Sequence, residues 1–165
     1  CVYADRSNVM MSYITRSDEV QVTFTRYMEM VTSMLADLGL AATSTQHNDV
    51  LIAGRKVSGN AFYHIPGHSI VHGTMLFDTD LANMLNAITP PRQKLDAHGV
   101  KSVRQRITLL REHTDLTVEA FREYAVRRLC TGRLLLSDRD VEAIETLEQE
   151  YLNPLFIYGK ENMSL

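Results

Sequence analysis

The chain has 165 residues, 45% hydrophobic and 22% charged, with a formal net charge of −3. That suits one globular domain with a real core, here 1–165 and expected to be incomplete, and without a basic stripe no nucleic-acid partner is expected. No apolar run approaches the roughly 18 residues that span a bilayer, no secretory leader is recognised, and Cys1 and Cys130 give neither a disulfide framework nor a C-x-x-C pair; no membrane partner and a reducing, cytoplasmic setting are the default.

In chain order, Asn8 to Thr15 reads as a strand with Met10, Ser12 and Ile14 on one side. From Asp18 to Leu38, apolar residues at Phe24, Tyr27, Met28, Val31, Met34, Leu35 and Leu38 keep to one helical face, and Gly39 stands at the C-cap. Strands are expected at Ala42 to Thr45, Val50 to Ala53, Lys56 to Ile65 and Ser69 to Phe77, with Gly54-Arg55 and Pro66-Gly67 as turns. Asp80 to Ile88 and Arg92 to His98 read as short helices split by Pro90-Pro91. Thr117 to Cys130 is an amphipathic helix stopped by Gly132, and Ser137-x-x-Asp140 caps a last helix carrying Val141, Ile144, Leu147 and Tyr151. Adjacent strands followed by helices predict an α+β domain with a mixed, mainly antiparallel sheet.

Lys56 is the candidate for chemistry. It stands in a strand between two glycine-marked bends, and Gly59 and Ala61 leave room for a ligand or another backbone beside it. Strand alternation keeps Arg55 and Lys56 from facing one pocket. By residue type alone, Lys56 also reads as a surface lysine beside a turn. The Asn48-Asp49 pair reads equally as a turn that bonds its own backbone. Pro66-Gly67 interrupts the run His64, His68, His72, so no zinc site is expected there.

Three ordered segments, Asn48-Asp49 with Lys56-Val57-Ser58-Gly59-Asn60-Ala61, then His72-Gly73-Thr74, then Lys101-Ser102-Val103-Arg104-Gln105-Arg106, together resemble lipoate-protein ligases, members of the biotin/lipoate ligase superfamily. Similarity is convincing from Cys1 to about Leu110, with a weaker echo in Phe156-Ile157-Tyr158-Gly159-Lys160. In that family the register of Cys1 follows an Arg-Arg-x-Ser-Gly-Gly-Gly loop, so the chain is expected to be an internal piece of a longer protein, with a processed piece or one half of a split ligase as the alternatives.

The resemblance implies a fold and a reaction. The fold is the biotin/lipoate ligase-like catalytic domain. The reaction activates lipoate with ATP to lipoyl-AMP, then transfers the lipoyl group to a lysine of lipoyl-domain proteins, namely 2-oxoacid dehydrogenase E2 subunits and the glycine-cleavage H protein. Lys56 matches the catalytic lysine. Cys1, Val2, Tyr3, Asp5, Asn8, Asn48, Asp49, Gly59, Asn60, Ala61, His72, Gly73 and Thr74 match ATP- or lipoyl-AMP-binding positions, with Ala4 where the family has histidine. Asp49 is the candidate contact for Mg²⁺ brought by ATP. Lys101 to Arg104 offers charge for the nucleotide or reads as a solvated run, and Met10, Tyr13, Val57 and Leu76 are candidate walls of a lipoyl tunnel or ordinary core. The alternatives are an ATP-independent octanoyl or lipoyl transferase, with Cys1 or Cys130 as acyl acceptor, and a non-catalytic lipoate- or acceptor-binding fragment.

Overall fold

A computed structural model describes residues 3–46, 48–88 and 106–159. The expected helix at 92–98, the Lys101–Gln105 part of the basic motif, and Cys1 and Val2 lie outside the described residues. By its internal contacts the chain forms two compact units, Cys1–Cys130 and Thr131–Leu165.

The first unit is an α+β sheet domain. Strands β1 (Asn8–Thr15), β2 (Ala42–Ser44), β3 (Asp49–Ile52), β4 (Arg55–Ile65) and β5 (His68–Leu76) form one sheet in the order β1-β5-β4-β3-β2. Every neighbouring pair is antiparallel. The β3–β4 turn is Ala53-Gly54, with φ of 49° and 75°, the two positive values that a tight hairpin of the twisted sheet requires. Arg55 therefore opens β4 opposite Ile52 instead of lying in the turn, a correction to the Gly54-Arg55 reading.

Helix α1 (Val20–Ala36) covers one face. It buries Phe24, Tyr27, Met28, Val31, Met34 and Leu35 against Val50, Ile52, Val57, Val71 and Met75. A fully buried aliphatic side chain contributes about 1.5–3 kcal/mol, so this layer dominates stability. The helix ends as expected: Gly39, at φ 78°, donates to the Ala36 carbonyl at 2.8 Å, and Leu40 N–H reaches Leu35 at 3.1 Å. After α2 (Leu81–Ala87) and a 3₁₀ turn at Leu110–Glu112, helix α3 (Val118–Leu129) adds Phe121 and Ala125 to the same core. It stops before Gly132, on an extended Cys130.

The second unit holds α4 (Asp138–Leu152) and α5 (Pro154–Tyr158). Ser137 and Asp140 cap α4 reciprocally, and Asn153 caps α5, whose first residue is proline. Among the described residues no helix is long and apolar enough to cross a membrane.

Candidate functional site

Strict alternation along β4 places Lys56 on the face of Ser58 and Asn60. The structure places it on the other. Val50 pairs with Ser58 but Leu51 pairs with Lys56, so Val57 is an extra residue in β4. This bulge resets the alternation, burying both Val57 and Ser58 and bringing Lys56 round to the face of Gly59. The lysine then lies over Gly59: a Cβ added there would stand 2.7 Å from Nζ and 2.9 Å from Cε. The ammonium occupies the space that a side chain at residue 59 would fill.

Cross-strand register shows what shares this face. Asp49 stands opposite Gly59, Gly59 opposite Thr74, Thr74 opposite Met10, Ala61 opposite His72, and His72 opposite Ser12. Asp49 Oδ1 holds Lys56 Nζ at 2.6 Å, while Oδ2 accepts from the Arg106 guanidinium at 2.8 Å. The Asp49 side chain is 9% exposed and that of Lys56 26%. One carboxylate thus gathers two cations and leaves the cluster with an excess of positive charge when all three are ionised. Behind them, Thr108 N–H donates to the Lys56 carbonyl at 2.9 Å and Ile107 pairs parallel to Lys56. Each Asp49 oxygen thus has a cationic partner in this arrangement.

The remaining site candidates divide between three places. His72 Nδ1 and Ser12 Oγ are 2.9 Å apart, and Thr74 Oγ1 lies 3.2 Å from Met10 Sδ, all on the Lys56 face. Asn60 and Gly73 are opposite one another on the α1 face: a Cβ on Gly73 would collide with Asn60 Oδ1 and the Tyr27 hydroxyl. Tyr3, Asp5 and Asn8 gather at the end of β5. There Tyr3 packs with Leu76, Met84 and Ile107, the last of which bridges to Lys56.

At that end, Asp5 accepts from Asp80 N–H at 2.8 Å and from Ser7 N–H at 3.0 Å. Burial acts to raise its carboxyl, but these bonds and the Ser7 hydroxyl hold it below the usual range. Desolvation, then the Asp5 and Asp80 carboxylates, push the Tyr3 phenol up. Asn8 Oδ1 accepts from Asp5 N–H at 3.0 Å and Thr79 Oγ1 at 3.2 Å, whereas its buried Nδ2 has no hydrogen-bond partner. Asp5 therefore staples two loops, and Asn8 keeps a donor unspent.

Of the candidate tunnel walls, Met10 borders Thr74 and Leu76 belongs to the Tyr3 cluster, but Val57 and Tyr13 pack with the main core. Arg106, which ended a recognised motif without being assigned to the site, is the residue sequence reasoning passed over. Its meeting with Asp49 spans 57 positions. Cys130, at the end of α3, is exposed.

The Lipoyl protein ligase A/B catalytic domain family matches residues 1–130. The chain belongs to that family. Lipoate-protein ligase LplJ of Bacillus subtilis is 31% identical over 170 residues, covering 96% of this chain and 51% of that protein. Lipoate–protein ligase 1 of Staphylococcus aureus is 30% identical over 167 residues with the same coverage. The chain thus spans about half the length of these lipoate ligases. Among solved structures, that of a bi-partite lipoate protein ligase and its E2 lipoyl domain from Thermoplasma acidophilum matches with a TM-score of 0.78 at 25% identity, over 96% of this chain and 66% of that one. Lipoate-protein ligase A bound with ATP shares the fold, with a TM-score of 0.76 at 22% identity over 96% and 68% of the two chains. The lipoyl ligase catalytic fold is thereby shown.

Proposed function

We propose that the Lys56 cluster is the activation site of an ATP-dependent lipoate–protein ligase. The observation that carries this reading is the pairing of Lys56 and Arg106 on one carboxylate, with the ammonium lying over Gly59. Lipoate brings a carboxylate and ATP a triphosphate, so their approach concentrates negative charge where two cations are already held.

The lipoate carboxylate oxygen attacks the α-phosphorus of ATP, the bond to the bridging oxygen breaks, and pyrophosphate leaves with that electron pair. Lys56 neutralises charge growing on the phosphoryl and carboxyl oxygens, an effect worth about 3 kcal/mol for a well-placed donor. In the second step the amine of an acceptor lysine attacks the lipoyl carbonyl, and AMP leaves. Met10, Thr74 and His72 border the path of the acyl chain. Mg²⁺ accompanying ATP is left to phosphate oxygens and water. Lipoyl domains of 2-oxoacid dehydrogenase E2 subunits and the glycine-cleavage H protein are the proposed acceptors, a reading supported by the E2 lipoyl domain described with the Thermoplasma ligase. The cytoplasm is the proposed compartment.

ATP-independent acyl transfer is the second reading, which membership of the lipoyl protein ligase A/B catalytic domain family leaves open. Lipoate-dependent exchange of pyrophosphate into ATP tests the choice. Exchange that falls at least 100-fold in Lys56→Ala supports the ligase; exchange unchanged in that variant, or none despite lipoate binding, refutes the proposed role.

A further inference from the structure

Asn60, a ligand-binding candidate by sequence, points away from the Lys56 face. Its side chain shares the α1 face with Tyr27, where both border the space above Gly73. From there it reaches the chain just before Asp49. Asn60 Nδ2 donates to the Asn48 carbonyl at 2.9 Å, and Asn60 backbone N–H donates to the same oxygen at 3.0 Å. Ser58, fully buried, donates to Asn60 Oδ1 at 3.3 Å and so orients the amide.

The Asn48 carbonyl and the Asp49 N–H are two ends of one planar peptide group. The N–H end is held as well, donating to Thr45 Oγ1 at 3.2 Å. Fixing both ends fixes the plane, and with it the direction in which the Asp49 side chain leaves the backbone. The constraint acts where the chain is bent: Asn48 sits at φ 68°, in the left-handed region that asparagine adopts more readily than most side-chain-bearing residues. Asp49 in turn is the residue that holds Lys56 at 2.6 Å and Arg106 at 2.8 Å.

We infer that Asn60 is a positioning residue for Lys56, acting through the Asn48–Asp49 peptide group rather than by touching substrate. The inference rests on the ligase reading only for the purpose that Lys56 serves; the linkage itself is independent of any ligand. A hydrogen-bond donor on one face of the sheet thereby sets a cation on the other.

The test is the labelling rate of Lys56 by limiting acetic anhydride, read by peptide mass spectrometry against the other lysines of the chain. The nitrogen must be reached by the reagent, so a lysine held at 2.6 Å on Asp49 with its side chain 26% exposed labels slowly. Asn60→Asp and Asn60→Ala both remove the Nδ2 donor, the first with little change of shape. Each is expected to raise Lys56 labelling at least threefold, as does Asp49→Asn. Adding either change to Asp49→Asn is expected to give no further rise, whereas independent effects multiply. Lys56 labelling at the unaltered rate in a folded Asn60 variant, no rise in Asp49→Asn, or multiplying increments overturns the inference. A variant that has lost its cooperative thermal transition has unfolded, and the other Asn60 variant then decides. Should both unfold, Asp49→Asn and exchange protection of the Asp49 amide, expected to be high, decide instead. Neither ATP nor lipoate enters this assay, so failure of pyrophosphate exchange and failure of this linkage are separate results.

Discussion

Replacing Gly59 by alanine puts a methyl carbon 2.7 Å from Lys56 Nζ and 2.9 Å from Cε. Ordinary contact begins near 3.4 Å, so the ammonium must retreat by about 0.7 Å. What yields is the far end of a flexible side chain, so the backbone has no cause to move. Alanine in a strand is favoured over glycine by about 0.5–1 kcal/mol, which predicts a melting temperature unchanged or raised by about 1–4 °C. Catalysis is expected to move the other way. A 1 Å misplacement costs about 100-fold, so a shift near 0.7 Å predicts a loss of about 10- to 100-fold, or about 1.4–2.7 kcal/mol in the barrier. Pyrophosphate exchange and thermal denaturation on the same preparation check both halves. Exchange within twofold of the unaltered protein, or a loss that merely follows loss of fold, refutes the reasoning.

On the opposite face, Gly73→Ala drives a Cβ into Asn60 Oδ1 and the Tyr27 hydroxyl, both under α1. Overpacking of this kind costs about 1–3 kcal/mol, expected as a melting temperature lower by about 2–12 °C and partly restored when Tyr27→Phe removes the obstructing oxygen. The Tyr27 hydroxyl is buried with no hydrogen-bond partner, and burial pushes its pKa up to about 12. Because the folded value lies above the unfolded one, near 10, its stabilisation of the fold is complete below pH 10 and is lost as pH rises towards 12. Spectrophotometric titration is expected to show a late tyrosine component that vanishes in Tyr27→Phe, together with a smaller loss of stability across that window.

The parts legible in the sequence are those governed by local period and local chirality. The apolar residues from Phe24 to Leu35 fell on the buried face of α1, and Gly39 and Gly67 took the positive φ that their positions demanded. The β3–β4 turn shifted by one residue because Ala53 accepts a positive φ, something residue type alone argues against. The bulge at Val57 was hidden because an unpaired residue is defined only by what stands on the neighbouring strand. Arg106 and Thr45 escaped for a related reason. Their roles consist of bonds to Asp49, and no spacing rule links residue 49 to residue 106. Asn60 was recognised within its motif, but the face it occupies depended on the bulge.

That single unpaired residue also sets a length requirement. Between Lys56 and Gly59 the chain makes three steps, an interval that plain alternation would end on opposite sides, and the extra residue at Val57 is what brings both to one side in register with β3. Adding one residue there with the bulge kept turns the ammonium towards the buried layer, where charge is not tolerated, whereas deleting Val57 restores plain alternation and keeps it beside Gly59. Substitutions in this segment are graded in effect, whereas a change of length acts through whether the count of steps still matches the bulge.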